Sequence, residues 1–131
     1  MKLTALFMIG ALAAAAAPAA AQPGSERQPI PIHFQRGGDS VRLTSVLRQD
    51  RQCCAYRFEA RAGQVLYWRI NGPAVRTVIR YPDGQADGPG LPQAIPLPRT
   101  GTYVFTVSPN LMADGAFGRF RLWLRIPPGR R

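Results

Sequence analysis

Residues 54–70 read CAYRFEARAGQVLYWRI. In the first half, Cys54, Tyr56, Phe58, Ala60 and Ala62 fall on every second position, and Arg57, Glu59 and Arg61 stand between them. A period of two belongs to a strand with one wet face; on a helix the same residues would spread around the whole circumference. Ala62-Gly63-Gln64 then makes a turn, after which Leu66, Trp68 and Ile70 resume the alternation. Asn71-Gly72 follows, the dipeptide of tight β-hairpins, with Pro73 placed to open the next strand and not to interrupt it.

The same grammar extends in both directions. C-terminal to the turn, Val75, Thr77, Ile79 and Tyr81 share a face until Pro82-Asp83-Gly84 ends the strand. Gly and Pro crowd residues 85–98, which predicts a long loop holding at most a brief strand near 94–97. Tyr103, Phe105 and Val107 alternate inward, a second long loop runs over 109–118, and Phe120, Leu122, Leu124 and Ile126 line the inner face of the last strand. N-terminal to the opening stretch, Val41, Leu43 and Leu47 point inward, a Gly37-Gly38-Asp39 turn precedes them, and Ile30 to Phe34 alternates but carries Pro29 and Pro31, which confine it to a sheet edge. Seven or eight short strands with turns between them predict an all-β fold, a two-sheet antiparallel β-sandwich.

The first residues have a different logic. Met1-Lys2, an apolar run from Leu3 to Ala17, then Pro18 and Ala19-Ala20-Ala21 form the pattern of a secretory signal, with cleavage expected after Ala21. Residues 1–21 are therefore assigned as signal peptide, 22–29 as a flexible leader, 30–127 as the sandwich and 128–131 as a tail. The apolar run is too short and Ala-rich for a membrane span, which needs about 20 strongly apolar residues. A periplasmic or secreted product without a remaining span is expected.

Charge points to the kind of partner. The chain carries 17 basic residues against seven Asp and Glu, a net charge of +10, and removal of Lys2, the one lysine, leaves 16 arginines and +9. Arginine pairs carboxylates and phosphates through a planar fork, so an anionic cell-envelope component or an acidic protein is the expected partner. Nucleic acid fits the charge but not the export signal. The sharpest candidate surface lies on the last strand, where Arg119, Arg121, Trp123 and Arg125 alternate with the core residues at a spacing of about 6.6 Å. Three guanidinium groups flanking an indole can stack and pair anions; the other reading of the same residues is a solvated outer layer in which arginine stems cover Trp123. Arg57 and Arg61 extend the surface if their strand lies in the same sheet.

Catalytic chemistry finds little to work with. His33 is the one histidine and is predicted to point outward; Ser25, Ser40, Ser45 and Ser108 lack a nucleophile-elbow context. A non-catalytic domain is expected, with no cofactor and no metal site. Cys53 and Cys54 are adjacent. Across a trans peptide their Cα atoms would be about 3.8 Å apart, below the usual disulfide range, so a ring between them would be strained; free thiols, an intermolecular bridge and a vicinal ring all stay open, a free pair being the expected state, with Cys53 outward as the thiol able to link two chains.

Four segments, YRFEARAGQVL, VIRYPDG, LPRTGTYVFTV and GRFRLWLRI, together resemble the β-sandwich of bacterial pre-peptidase C-terminal domains and of g-type lysozyme inhibitors, over residues 32–126. The resemblance implies an exported binding or inhibitory module, and hence a second functional expectation: inhibition of a hydrolase such as g-type lysozyme. It also implies that calcium, bound by acidic residues in the middle strands of some pre-peptidase domains, has no site here, since INGPAVRTVIRY lacks a carboxylate. Net charge argues against a basic lysozyme as partner, because two positive surfaces repel on approach.

Overall fold

The alternation read from the sequence becomes a sandwich whose consecutive strands mostly change sheets. The structure is a computed structural model that describes residues 23–34, 39–51 and 53–128; the expected signal peptide and cleavage point, the Gly37-Gly38 part of the expected first turn and the end of the tail lie outside the described residues. The strands are β1 (Ile30–Pro31), β2 (Ser40–Leu47), β3 (Ala55–Ala60), β4 (Val65–Asn71), β5 (Val75–Arg80), β6 (Ala86–Asp87), β7 (Ala94–Pro96), β8 (Gly101–Pro109) and β9 (Gly118–Arg125). One sheet runs β1-β3-β8-β5-β6 and the other β2-β9-β4-β7. The fold is all-β, in two sheets whose pairings are antiparallel except that β1 lies parallel to β3. Two-residue β1 and β6 raise the strand number above the expected seven or eight. Pro31 sits at the sheet edge, where its missing N–H breaks no ladder.

Inward positions of both sheets form one core. Phe58 on β3 stacks on Tyr103 of β8, with centroids 5.6 Å apart and rings inclined by 11°. Phe105 reaches across to Trp68 on β4 of the other sheet at 5.6 Å, and Leu66, Phe120, Leu122 and Leu124 close the layer with no more than 1% exposure. Each of these large side chains removes its surface from water against the opposite sheet, a gain of roughly 1.5–3 kcal/mol per residue relative to leaving it exposed. The polar tips of Tyr103 and Trp68 are satisfied locally: Tyr103 Oη donates to Arg99 O at 2.6 Å and accepts from Arg99 N, while Trp68 Nε1 donates to Pro92 O.

Three expectations are corrected. Asn71-Gly72 does not close a hairpin, because β4 and β5 belong to different sheets; the chain crosses the sandwich there. At Gly72 (φ +150°) the backbone passes so close to β9 that an added Cβ would meet Phe120 Cβ at 2.8 Å, so this glycine serves close approach and not a two-residue turn. Ala62 is exposed, since β3 ends at Ala60 and the inward alternation ends with it. The described part of the leader is docked and not loose: Gly24 O accepts from Ala55 N at 2.6 Å and Ser25 is 5% exposed.

Candidate functional site

Strand β9 occupies the middle of the four-stranded sheet, so its outward residues have neighbours on both sides. Parity sends Phe120, Leu122 and Leu124 into the core and leaves Arg119, Arg121, Trp123 and Arg125 outside. Register then decides what surrounds them. Trp123 lies opposite Arg42 of β2 on one side and Arg69 of β4 on the other; Arg121 lies between Thr44 and Asn71; Arg125 lies between Ser40 and Tyr67; Arg119 faces Val46. Directly opposed residues on one face hold their Cβ atoms about 5 Å apart, so these pairs form one continuous surface.

The surface has five arginines and no carboxylate on its strands. Arg69 Cζ stands 5.3 Å from the Trp123 ring centroid, a cation–π contact that holds the guanidinium over the indole. Arg125 is committed at the corner, with Nε 3.2 Å from Asp39 Oδ2. Among the described residues, Arg42, Arg119 and Arg121 form no ion pair, so their charge is directed at solvent. Arg42, Thr44, Arg69, Asn71, Arg121 and Trp123 line a shallow depression of about 590 Å³. Such an arrangement can take a planar anion: an aromatic floor, guanidinium forks above and beside it, and hydroxyl and amide groups at the edge.

The sequence reading placed Arg119, Arg121, Trp123 and Arg125 on one face, and the structure brings them together. It separates Arg57 and Arg61 from them. Arg57 is on β3 of the five-stranded sheet, on the opposite side of the sandwich, and Arg61 lies in the turn between β3 and β4, off the strands that form the surface. In their place stand Arg42 and Arg69, which the sequence reading did not single out; nothing in a linear sequence says that β2 and β4 flank β9.

Cys53 is also corrected as an intermolecular thiol. It is bonded to Cys54 as a vicinal disulfide across a cis peptide, whereas the expectation of a free pair assumed a trans one. Ser45 Oγ of β2 lies 3.6 Å from Cys53 Sγ and 3.4 Å from Cys54 Sγ. His33 is exposed.

With this geometry in view, solved structures supply the comparison. The fold is similar to that of periplasmic inhibitors of g-type lysozyme. The inhibitor of Aeromonas hydrophila is 23% identical, superposes with a TM-score of 0.62 and is matched over 95% of its length and 75% of this chain. That of Salmonella Typhimurium is 22% identical with a TM-score of 0.58, matched over 96% of its length and 75% of this chain. A mutant of the Escherichia coli inhibitor is 18% identical with a TM-score of 0.61 over the same shares. No protein-family model and no curated protein matches the chain. The g-type inhibitor half of the sequence resemblance is thus the half that the fold supports; these structures do not carry the pre-peptidase half.

Proposed function

We propose that this chain is an exported, non-catalytic inhibitor of a glycan-cleaving hydrolase of the g-type lysozyme kind, acting in the periplasm and docking through the outer face of the four-stranded sheet. The observation that carries the reading is the row Arg42, Trp123, Arg69, with Arg121 beside it, on strands that hold no carboxylate. Glycoside hydrolases work through Asp and Glu carboxylates in a cleft. A guanidinium surface that reaches such carboxylates neutralises the groups that do the chemistry and covers the path of the sugar chain. The inhibitor fold and the export signal point the same way.

The objection from net charge weakens at contact. At physiological salt, repulsion between two basic proteins is screened over about 8 Å, whereas an arginine inside an acidic cleft feels the nearest carboxylates with little screening. The sign of the local cleft outweighs that of the whole enzyme.

Titration of a g-type lysozyme with the purified chain, followed by lysis of a cell-wall suspension, tests the reading. Inhibition is expected at micromolar concentration or below. Arg42→Glu with Arg121→Glu should weaken it by about a hundredfold, equivalent to about 2.7 kcal/mol, while the melting temperature stays nearly unchanged because both side chains are exposed. Full lysis in the presence of the wild-type chain rejects the reading. Retention of the chain by an anionic envelope polymer, without inhibition, would assign the same face to the cell envelope.

A further inference from the structure

The strands that end the two sheets are not alike. β1 has two residues, Ile30–Pro31, behind Pro29; β6 has two, Ala86–Asp87, ahead of Gly88-Pro89; β7 has three, Ala94–Pro96, between Pro92 and Pro98. Short length and proline, which has no N–H to offer, close a sheet edge to other chains. β2 has neither. Its eight residues, SVRLTSVL, contain no proline and a single charge, Arg42, and they pair with β9 on one side only. One bond fixes the direction of its backbone groups: Ile126 N donates to Asp39 O at 2.8 Å, in the register that joins β2 to β9. In an antiparallel ladder every second residue exchanges its bonds with the residue opposite, so Val41, Leu43, Ser45 and Leu47 turn their N–H and C=O groups to β9. Ser40, Arg42, Thr44 and Val46 turn theirs to the open edge, where among the described residues no hydrogen bond reaches them.

The side chains of this edge are incompletely covered in the same way. Val41 and Leu43 pack against the core yet stay half-buried, because no strand lies beyond them. Arg42, Thr44 and Val46 are exposed on the outer face, Val46 by 40%. A strand laid along β2 would bury Val41 and Leu43 with apolar groups on its inward side. Its outward side chains would stand about 5 Å from Arg42. Arg119 and Arg121 lie one strand further in, opposite Val46 and Thr44. That places them about 10 Å from the added strand, a gap that a glutamate and an arginine side chain close between them.

We infer that the β2 edge is a docking site for an extended acidic segment of another protein, which joins the four-stranded sheet as a fifth strand with apolar residues inward and carboxylates outward. Main-chain bonds to Arg42, Thr44 and Val46 give such an addition its affinity, and the alternating side chains give it selectivity. Charge decides the occupant. A second copy of the chain could pair with β2 about a two-fold axis, but it brings the same net charge of +10 and sets two arginine faces side by side. An acidic strand meets complementary charge along its whole outward side. Docking at this edge stands apart from lysozyme inhibition, which engages the face of the sheet and is read by a different assay.

The probe is a synthetic peptide of alternating valine and glutamate, long enough to lie along β2, and amide hydrogen exchange of the purified chain reports where it binds. The amides of Arg42, Thr44 and Val46 should exchange readily in the chain alone and become protected with peptide; those of Leu43 and Ser45, already bonded to β9, should change little. Methylating the peptide nitrogens that face β2 should weaken binding by at least about tenfold, because several main-chain bonds are lost together, while methylating those that face away should leave it nearly unchanged. Arg42→Glu should reverse the preference toward a valine–lysine peptide. Absence of binding overturns the proposal, as does equal binding of the acidic and basic peptides by the wild-type chain. Binding that leaves the three edge amides unprotected moves the peptide to another surface and also overturns it. Protection without peptide, rising with protein concentration as sedimentation shows a dimer, gives the edge to a second copy instead.

Discussion

The two outer faces of the sandwich are built from similar residues and end up with opposite character. On the five-stranded sheet, Arg57, Arg76 and Arg80 stand opposite Val104, Ser108 and Val104 again, and Glu59 stands opposite Thr102, which donates a hydrogen bond to it. Arg80 Nη1 donates to Gly84 O at 2.8 Å within its own hairpin. The arginines there are spaced by Val104 and Ser108, accompanied by a carboxylate and partly engaged. On the four-stranded sheet, the register of β2, β9 and β4 stacks Arg42, Trp123 and Arg69 in one row and sets Arg121 next to it. What differs is arrangement more than composition, and like charges gathered in one row project a stronger field than charges that are spaced and paired.

The comparison breaks altogether if the shared core is removed. Phe105 belongs to the five-stranded sheet but packs on Trp68 of the other, so Phe105→Ala should cost about 3–5 kcal/mol, lowering the chemical-denaturation midpoint and disabling both faces together. A loss of inhibition with unchanged stability would show that the residue acts on function by another route.

A smaller and more selective effect sharpens the comparison. Charge reversal at Arg57 and Arg76 changes net charge as much as reversal at Arg42 and Arg121 does. It should alter lysozyme inhibition by less than about twofold, a rim-like effect on association alone, against the hundredfold expected from the other face. Equal losses in the two variants would mean that overall charge, and not the arginine row, governs binding.

The smallest effect concerns the tyrosines beneath the five-stranded sheet. Tyr56 is pushed up to about 12 by burial, partly offset by its hydrogen bond with Ser45; Tyr81 is pushed up to about 12 by burial and then by Asp87, whose Oδ2 accepts from its hydroxyl at 2.6 Å. The folded state thus holds these protons more tightly than the unfolded chain does. Their contribution to stability is complete below pH 10 and is lost as the pH rises toward 12. An ultraviolet titration should find these two tyrosines ionising later than an ordinary one, with the delay at Tyr81 reduced in Asp87→Asn.

Much of the inner architecture was written in the chain order. Tyr56, Phe58, Leu66, Trp68, Ile79, Tyr103, Phe105, Phe120 and Leu122 all turned inward as their period of two required, because a strand gives each residue one of two faces and water favours one choice for large apolar groups. The outward direction of Arg119, Arg121, Trp123 and Arg125 followed from the same rule. Tertiary structure alone decided which strands became neighbours. Asn71-Gly72 has the local chemistry of a hairpin, yet it carries the chain from one sheet to the other, since pairing β4 with β9 and β5 with β8 buries both inner faces and a local hairpin would not. From that choice come the exclusion of Arg57 and Arg61 from the surface and the recruitment of Arg42 and Arg69. Parity is a property of each strand by itself; adjacency is a property of the packed whole, and the candidate site depends on adjacency.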